Sequence, residues 1–319
     1  MDNAGTIFLA VTGFDPAVWK DHLQKAAPHR RVITDIGEVD DPSVIEYAVV
    51  WKQRPGVLNA LRNLKAIFSI GAGVDHIFND HDLPDVPIVR VVASDLTDRM
   101  SEYIVWQVLD QHRRGPAYRQ QQKERVWRED RLQPAASEIT VGILGLGVLG
   151  TDAARKLSVL GFKVTGWSRT KKTVSGVETF HGEEGLGAFL RSADIVACLL
   201  PLTPQTHGIL SKPLFINMKR DGPLGSTILI NAGRGKLQNE ADILAALDNG
   251  WLGAACLDVF QEEPLAQDSA LWDHPKVTIT PHAAATSDPA ALIPPMISQM
   301  DAHDGGAPLI NLVDREAGY

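Results

Sequence analysis

The sequence is poor in cysteine, with two residues, Cys198 and Cys256, in a chain of 319. They do not form a CxxC pair, and each lies in an apolar run. This excludes a disulfide scaffold and predicts two buried free thiols in a reducing compartment. The ten histidines form no HxxxH or HExxH pair, so we expect no bound metal.

Long hydrophobic runs and an excess of basic charge are also absent. The apolar run at residues 6–12 is too short for a membrane span or a signal-peptide core, and no basic region precedes it. The formal net charge of -8 argues against a nucleic-acid partner. We therefore expect a cytoplasmic protein that binds neither membranes nor nucleic acids.

The sequence does contain a regular alternation of short apolar runs with amphipathic stretches. Its hydrophobic content of 44% over 319 residues is enough for two domains. Asp15 and Pro16 predict the start of a helix that runs to residue 26. Strands alternating with helices predict an α/β fold with parallel sheets. The predicted strands cover residues 7–11, 47–51, 65–70, 87–92, 139–144, 163–167, 195–200, 227–231, 253–257 and 277–280.

The middle of the chain separates two groups of predicted strands. A long helix is predicted from Met100 to Gln111, and the polar residues 120–133 after it are typical of a solvated arm. The six predicted strands that follow match a doubly wound sheet.

Two glycine-rich loops follow predicted strands. Gly145, Gly147 and Gly150 supply all three glycines of a dinucleotide-binding loop, whereas the loop at residues 71–73 has His76 in the third position. In such a loop the glycines allow a tight turn, the approach of a pyrophosphate and close packing of the helix. Free N–H groups at the start of the helix, at Val148 and Leu149 here, then face the phosphates. We therefore predict that residues 145–150 bind a nicotinamide dinucleotide.

The end of the next strand indicates which dinucleotide is bound. A carboxylate there would hydrogen-bond to the ribose of NAD and repel a 2′-phosphate. Ser168 occupies this position, and Arg169, Lys171 and Lys172 follow it. We therefore predict NADP as the cofactor, with NADPH preferred over NADH; the alternative is that these cations form a solvated basic turn.

Three polar residues follow predicted strands in the second half of the chain: Arg234, Glu263 and His282. Ligands of open α/β sheets bind at the carboxyl ends of the strands. A nicotinamide enzyme that reduces a 2-keto acid needs three groups: a cation that binds the substrate, a general acid, and a carboxylate that orients the acid. Arg234, His282 and Glu263 are candidates for these three groups. Glu262 is the alternative to Glu263, whose position before Pro264 favours it.

Several segments together resemble the D-isomer-specific 2-hydroxyacid dehydrogenase family over nearly the full length. They are residues 145–150, 201–206, 231–235, 257–260, 263–265 and 281–282. Further details are most similar to the glyoxylate/hydroxypyruvate reductase A branch of that family, and they lie at residues 71–75, 167–169 and 314–319.

The resemblance implies two Rossmann-like domains with parallel sheets. Residues 1–98, completed by 286–319, would form a discontinuous, flavodoxin-like substrate domain. Residues 99–285 would form the NAD(P)-binding Rossmann domain, including a dimerisation helix and arm. The resemblance therefore also implies a homodimer.

The resemblance further implies a role for individual residues. Arg234 would bind the carboxylate and carbonyl of the substrate, and His282 would be the general acid. Glu263 would hydrogen-bond to His282 and favour its charged form. Backbone N–H groups of Ala72 and Gly73 would bind the substrate carboxylate. Trp51 would line the substrate pocket or pack in the core. The remaining cofactor-binding residues would be Leu200, Pro201, Thr206, Ala232, Gly233 and, on the nicotinamide side, Asp258.

The expected function is thus NADPH-dependent reduction of a small 2-keto acid of the glyoxylate or hydroxypyruvate type. One departure lies at residues 97–102, where the sequence differs from the usual family pattern near the nicotinamide. Two alternatives stay open. An NAD(P)H-sensing regulatory protein of the same fold would keep the same three polar residues, and an NAD-dependent dehydrogenase acting on phosphoglycerate or formate would have an acid in place of Ser168.

Overall fold

The computed structural model describes residues 4–319, and their strands are short and numerous. In chain order the strands are β1 (Ala4–Val11), β2 (Arg30–Ile33), β3 (Ile45–Trp51), β4 (Ala66–Ser69), β5 (Ile88–Val89), β6 (Thr140–Leu144), β7 (Lys163–Ser168), β8 (Glu178–His181), β9 (Ile195–Cys198), β10 (Ile228–Asn231), β11 (Ala254–Leu257) and β12 (Val277–Ile279).

Helices alternate with these strands along most of the chain. They are α1 (Pro16–Ala26), α2 (Asp75–Phe78), α3 (Ser94–His112), α4 (Gly115–Glu124), α5 (Val148–Val159), α6 (Gly182–Ser192), α7 (Lys212–Phe215), α8 (Glu240–Asp248) and α9 (Pro289–Asp304). Short 3-10 helices lie at Ile36–Glu38, Pro42–Val44, Ala136–Glu138 and Gly235–Leu237.

The chain divides into two compact units, of which the first comprises the described part of Met1–Leu96 together with Ser287–Tyr319. Its sheet has the strand order β2-β1-β3-β4-β5, and neighbouring strands pair in parallel. This is the order of flavodoxin-like folds. Helix α1 starts as predicted, because the Asp15 side chain accepts a hydrogen bond from the Ala17 N–H and Pro16 occupies the first turn.

A partly exposed ion-pair cluster around the buried Arg30 attaches the C-terminal helix α9 to the rest of the first unit. The Arg30 side chain is 1% exposed and pairs with Asp301 and Asp304 at N–O distances of 2.8 and 2.6 Å. Lys65 and the Tyr47 hydroxyl also bond to Asp304. Burial opposes the charged form of Asp304, but the hydrogen bonds from Lys65, Arg30 and Tyr47 outweigh it and lower the pKa of this carboxyl to about 2.

The second unit, Thr97–Thr286, contains a sheet with the strand order β12-β11-β10-β9-β6-β7-β8. All its strand pairs are parallel. Successive residues of a strand face opposite sides, so Leu144 belongs to one apolar cluster and Ile143 to another. The strand order reverses between β6 and β9, which is the usual ligand-binding point of such sheets. The predicted fold class, with two Rossmann-like parallel sheets, is confirmed.

Some elements differ from the sequence-based predictions. Strands β2 and β8 were not predicted, because β2 begins with two arginines and β8 is a polar strand at the sheet edge. Helix α3 begins at Ser94, earlier than predicted. Residues 120–124, the first part of the predicted solvated arm, form the end of helix α4 and are mostly exposed.

The two cysteines are free and buried as predicted. Burial raises the pKa of each thiol to about 12, so both stay protonated and unreactive. Among residues 4–319, no helix is long and apolar enough to cross a membrane. In the same part of the chain, no group of three His, Cys, Asp or Glu side chains is placed to hold a metal ion.

Candidate active site

The glycine loop of the second unit connects β6 to α5 in a tight turn. Gly145 has a φ of +117°, which favours glycine, and an added Cβ would lie 2.8 Å from the Leu199 carbonyl oxygen. A Cβ on Gly150 would overlap the Gly145 carbonyl oxygen. Gly150 therefore lets α5 pack against the end of β6, and Gly145 lets the turn approach the main chain after β9, as expected for a dinucleotide-binding loop.

Gly147 has a different environment from the other two glycines of the loop, Gly145 and Gly150. An added Cβ would meet no described atom within 4 Å, and φ is an ordinary -80°. In the described part of the chain no side chain caps the N-terminus of α5, which starts at the exposed Val148. The open space at Gly147 and the uncapped N–H groups fit a pyrophosphate, which needs close approach and N–H donors.

The basic turn after β7 contacts the glycine loop. Lys172 Nζ donates a hydrogen bond of 2.7 Å to the Leu146 carbonyl. The Ser168 hydroxyl donates to the Thr170 carbonyl at 2.8 Å, whereas Arg169 and Lys171 are exposed. Lys172, the last cation of the predicted basic run, thus lies against the glycine loop.

Two further predicted cofactor segments are fixed by short local hydrogen bonds. The Thr206 hydroxyl donates to the Pro201 carbonyl at 2.7 Å. In the loop after β10, the buried Asn231 amide accepts from the Gly233 N–H and donates to the Arg234 carbonyl. Asn231 therefore shapes the turn that carries Arg234, a function that its place in the motif did not reveal. Leu200 and Ala232 lie buried beside these segments.

Glu263 and His282 are brought together by the fold. His282 Nδ1 lies 2.8 Å from Glu263 Oε2, and the two side chains are 38% and 27% exposed. The other carboxylate oxygen of Glu263 accepts from the Phe260 N–H at 3.2 Å. The structure thus places Glu263, and not Glu262, against the imidazole. Because the carboxylate accepts at Nδ1, Nε2 is the nitrogen left for a ligand.

Asp258 is 1% exposed and lies at the end of β11. Its carboxylate accepts hydrogen bonds from the Ala283 and Ala284 N–H groups, directly after His282. The predicted contact of Asp258 with the nicotinamide stays a prediction, and the geometry adds a role in holding the His282 loop. Sequence reasoning missed two partners of this carboxylate network, Thr280 and Tyr103.

In the first unit, the loop at residues 71–73 follows β4. A Cβ on Gly71 would overlap the indole of Trp51, so the ring packs directly on this glycine. Ser69 Oγ accepts from the Gly71 N–H and donates to the Gly71 carbonyl. Trp51 therefore shapes the loop, and the substrate-binding roles of Trp51, Ala72 and Gly73 stay predictions.

The second unit thus combines a cofactor-type loop with a proton-transfer pair. Arg234, Glu263 and His282 follow β10, β11 and β12, which are adjacent strands of one parallel sheet. The carboxyl ends of parallel strands share one edge of the sheet. The arrangement suits the binding of an anion and delivery of a proton near a dinucleotide.

The chain is similar to several known proteins. The family described as "D-isomer specific 2-hydroxyacid dehydrogenase, NAD binding domain" matches residues 105–284. Glyoxylate/hydroxypyruvate reductase A from Salmonella newport is 41% identical over 312 residues, which cover 96% of this chain and 97% of that relative.

Two solved structures are similar over nearly the whole chain. The NADPH-dependent glyoxylate/hydroxypyruvate reductase from Sinorhizobium meliloti, in complex with NADP and sulfate, has a TM-score of 0.93 and 47% identity and covers 99% of this chain and 100% of its own. A D-isomer-specific 2-hydroxyacid dehydrogenase from Xanthobacter autotrophicus, in complex with NADPH and MES, has a TM-score of 0.93 and 37% identity, with the same coverage.

Proposed function

Since this chain belongs to the D-isomer-specific 2-hydroxyacid dehydrogenase family, we propose that it reduces a small 2-keto acid, of the glyoxylate or hydroxypyruvate type, to the 2-hydroxy acid with NADPH. The observation that carries the proposal is the His282–Glu263 pair, 2.8 Å apart, in the unit that holds the glycine loop. The similarity to reductases that bind NADP supports the choice of cofactor.

The cofactor would be held by the glycine loop and the basic turn. Gly147 leaves space for the pyrophosphate, and the N–H groups of Val148 and Leu149 start an uncapped helix. Arg169 and Lys171, with Lys172 beside the loop, would bind the 2′-phosphate. When bound, the nicotinamide supplies the hydride that reduces the carbonyl carbon.

His282 would supply the proton for the new hydroxyl. Glu263 accepts at Nδ1, which fixes the orientation of the ring and leaves Nε2 toward the substrate. The proton then leaves from Nε2 to the carbonyl oxygen of the substrate, and His282 becomes neutral as the alcohol forms. A general acid of this kind contributes about 10²–10⁴-fold to the rate.

Arg234 would bind the carboxylate and polarise the carbonyl. Its guanidinium provides a planar set of donors that matches a carboxylate, and its backbone is fixed by the buried Asn231. As a further part of the proposal, the Ala72 and Gly73 N–H groups would bind the substrate carboxylate, and Trp51 would line the substrate pocket. The preference for small acids is supported by the similarity to glyoxylate/hydroxypyruvate reductases.

The test is to supply the protein with a panel of 2-keto acids, with either NADPH or NADH, and to measure turnover as the loss of absorbance of the reduced cofactor. We expect turnover of glyoxylate and hydroxypyruvate, weaker turnover of bulkier keto acids, and a lower KM for NADPH than for NADH. In Arg169→Ala the KM for NADPH should rise about tenfold, because one charge-assisted hydrogen bond is lost, whereas the KM for NADH should not change. Absence of turnover with every keto acid would favour the NAD(P)H-sensing regulatory protein instead.

We also propose a cytoplasmic homodimer that assembles through α3, α4 and the segment after them. This region exposes large apolar side chains: Trp106 is 52% exposed, Leu132 91%, and Trp127 fully. Such side chains are typical of protein interfaces. Sedimentation should give twice the monomer mass at micromolar protein, and a monomer mass would overturn the dimer.

A further inference from the structure

A chain of hydrogen bonds connects helix α3 to the loop that carries His282. The Tyr103 hydroxyl lies 2.8 Å from Thr280 Oγ1, which in turn donates to Asp258 Oδ1 at 2.6 Å. The Thr280 hydroxyl has one proton and gives it to the carboxylate, so Tyr103 must be the donor to Thr280. The direction of both bonds is therefore fixed: Tyr103 donates to Thr280, and Thr280 donates to Asp258.

Asp258 in turn fixes both the main chain of His282 and the residues after it. Its carbonyl oxygen accepts the His282 N–H at 2.7 Å, and its carboxylate oxygens accept the N–H groups of Ala283 and Ala284 at 2.8 and 3.0 Å. His282 has a φ of +54°, in the left-handed region that residues other than glycine rarely adopt. A conformation of this kind persists when surrounding bonds determine it, and Asp258 supplies three of them.

We propose that Tyr103 and Thr280 are positioning residues for His282, and that they act by orienting the Asp258 carboxylate. The inference rests on the proposed function, since it takes His282 to be the proton donor. Tyr103 is 7% exposed, and burial raises the pKa of its hydroxyl. The hydroxyl therefore stays protonated, as a donor must, throughout the working pH range.

Variants that remove one hydroxyl at a time test this inference. Tyr103→Phe removes one neutral hydrogen bond, and we expect kcat to fall about 5-fold. Thr280→Val removes the bond to the carboxylate as well, so kcat should fall by up to about 50-fold. Thr280→Ser keeps the hydroxyl and should retain most of the native kcat. Tyr47→Phe is the matched control, because Tyr47 is a buried tyrosine whose hydroxyl bonds to Asp304 in the first unit; its kcat should not change.

A double-mutant cycle with His282→Ala separates positioning from a general loss of stability. If Tyr103 acts through His282, Tyr103→Phe should lower kcat in the native background and change it less than 2-fold in the His282→Ala background. Equal losses in both backgrounds, or a loss confined to the KM for NADPH, would overturn the inference. A native kcat for Tyr103→Phe would also overturn it, with the proposed function unaffected if His282→Ala lowers kcat by about 10²–10⁴-fold. Native turnover of His282→Ala would overturn the proposed function and the inference together.

Discussion

The two glycine loops look alike in the sequence but need glycine for different reasons. In the second unit, a side chain on Gly145 or Gly150 would meet backbone atoms, whereas one on Gly147 would meet nothing. In the first unit, a side chain on Gly71 would meet the indole of Trp51. The loop at residues 145–150 thus needs glycine because of nearby main-chain atoms, which no substitution removes. The loop at residues 71–73 needs glycine because of a side chain, Trp51, which a substitution can remove.

The position of the third glycine shows the same contrast. Gly150 lets a helix of 12 residues start against the loop. His76 instead lies buried in a helix of four residues, where it accepts from the Lys52 N–H and contacts Ser69 Oγ at 3.3 Å. A four-residue helix has little dipole, so any anion at residues 71–73 would depend on the N–H groups of the loop itself.

Gly150→Ala should break the second loop and have the largest effect on stability. The added methyl overlaps the Gly145 carbonyl, and no rotamer change can relieve a clash with main chain. We expect a loss of about 3 kcal/mol in the free energy of unfolding of the second unit. Urea denaturation followed by far-UV circular dichroism measures this. A stability within 0.5 kcal/mol of the native protein, about the scatter of a neutral substitution, would refute the backbone argument.

Gly71→Ala should have a smaller effect, and one that a second substitution can relieve. The obstacle is the six-membered ring of the Trp51 indole, so we expect a loss of about 2 kcal/mol. Trp51→Phe removes ring atoms that cause the overlap. Gly71→Ala should therefore cost less in the Trp51→Phe background than in the native one, as measured by a double-mutant denaturation cycle. Additive losses would show that the side chain is not the obstacle.

The same distinction explains what could be predicted from the sequence. The apolar strands and the loop at residues 145–150 follow local patterns, and the position before Pro264 favours Glu263 over Glu262. Strand β2 could not be predicted, since its buried Arg30 is stabilised by Asp301, 271 residues later. Tyr103 and Thr280 are 177 residues apart, and the reason for Gly71 is a tryptophan on another strand. Contacts between residues so far apart in the sequence leave no local sequence pattern from which they could be predicted.

Gly147→Ala should have the smallest effect on stability and a clear effect on cofactor binding. Its φ of -80° suits alanine, and the methyl would meet no described atom within 4 Å. The free energy of unfolding should therefore stay native, while the Kd for NADPH rises about tenfold because the methyl occupies the space proposed for the pyrophosphate. Titration calorimetry measures the Kd. Gly185→Ala in α6 is the matched control, since its Cβ would make an ordinary contact 3.4 Å from Phe180, and it should leave NADPH binding unchanged. If Gly147→Ala binds NADPH as the native protein does, the open position in this loop is not a pyrophosphate site. The two loops would then differ in what requires their glycines, but not in cofactor binding at Gly147.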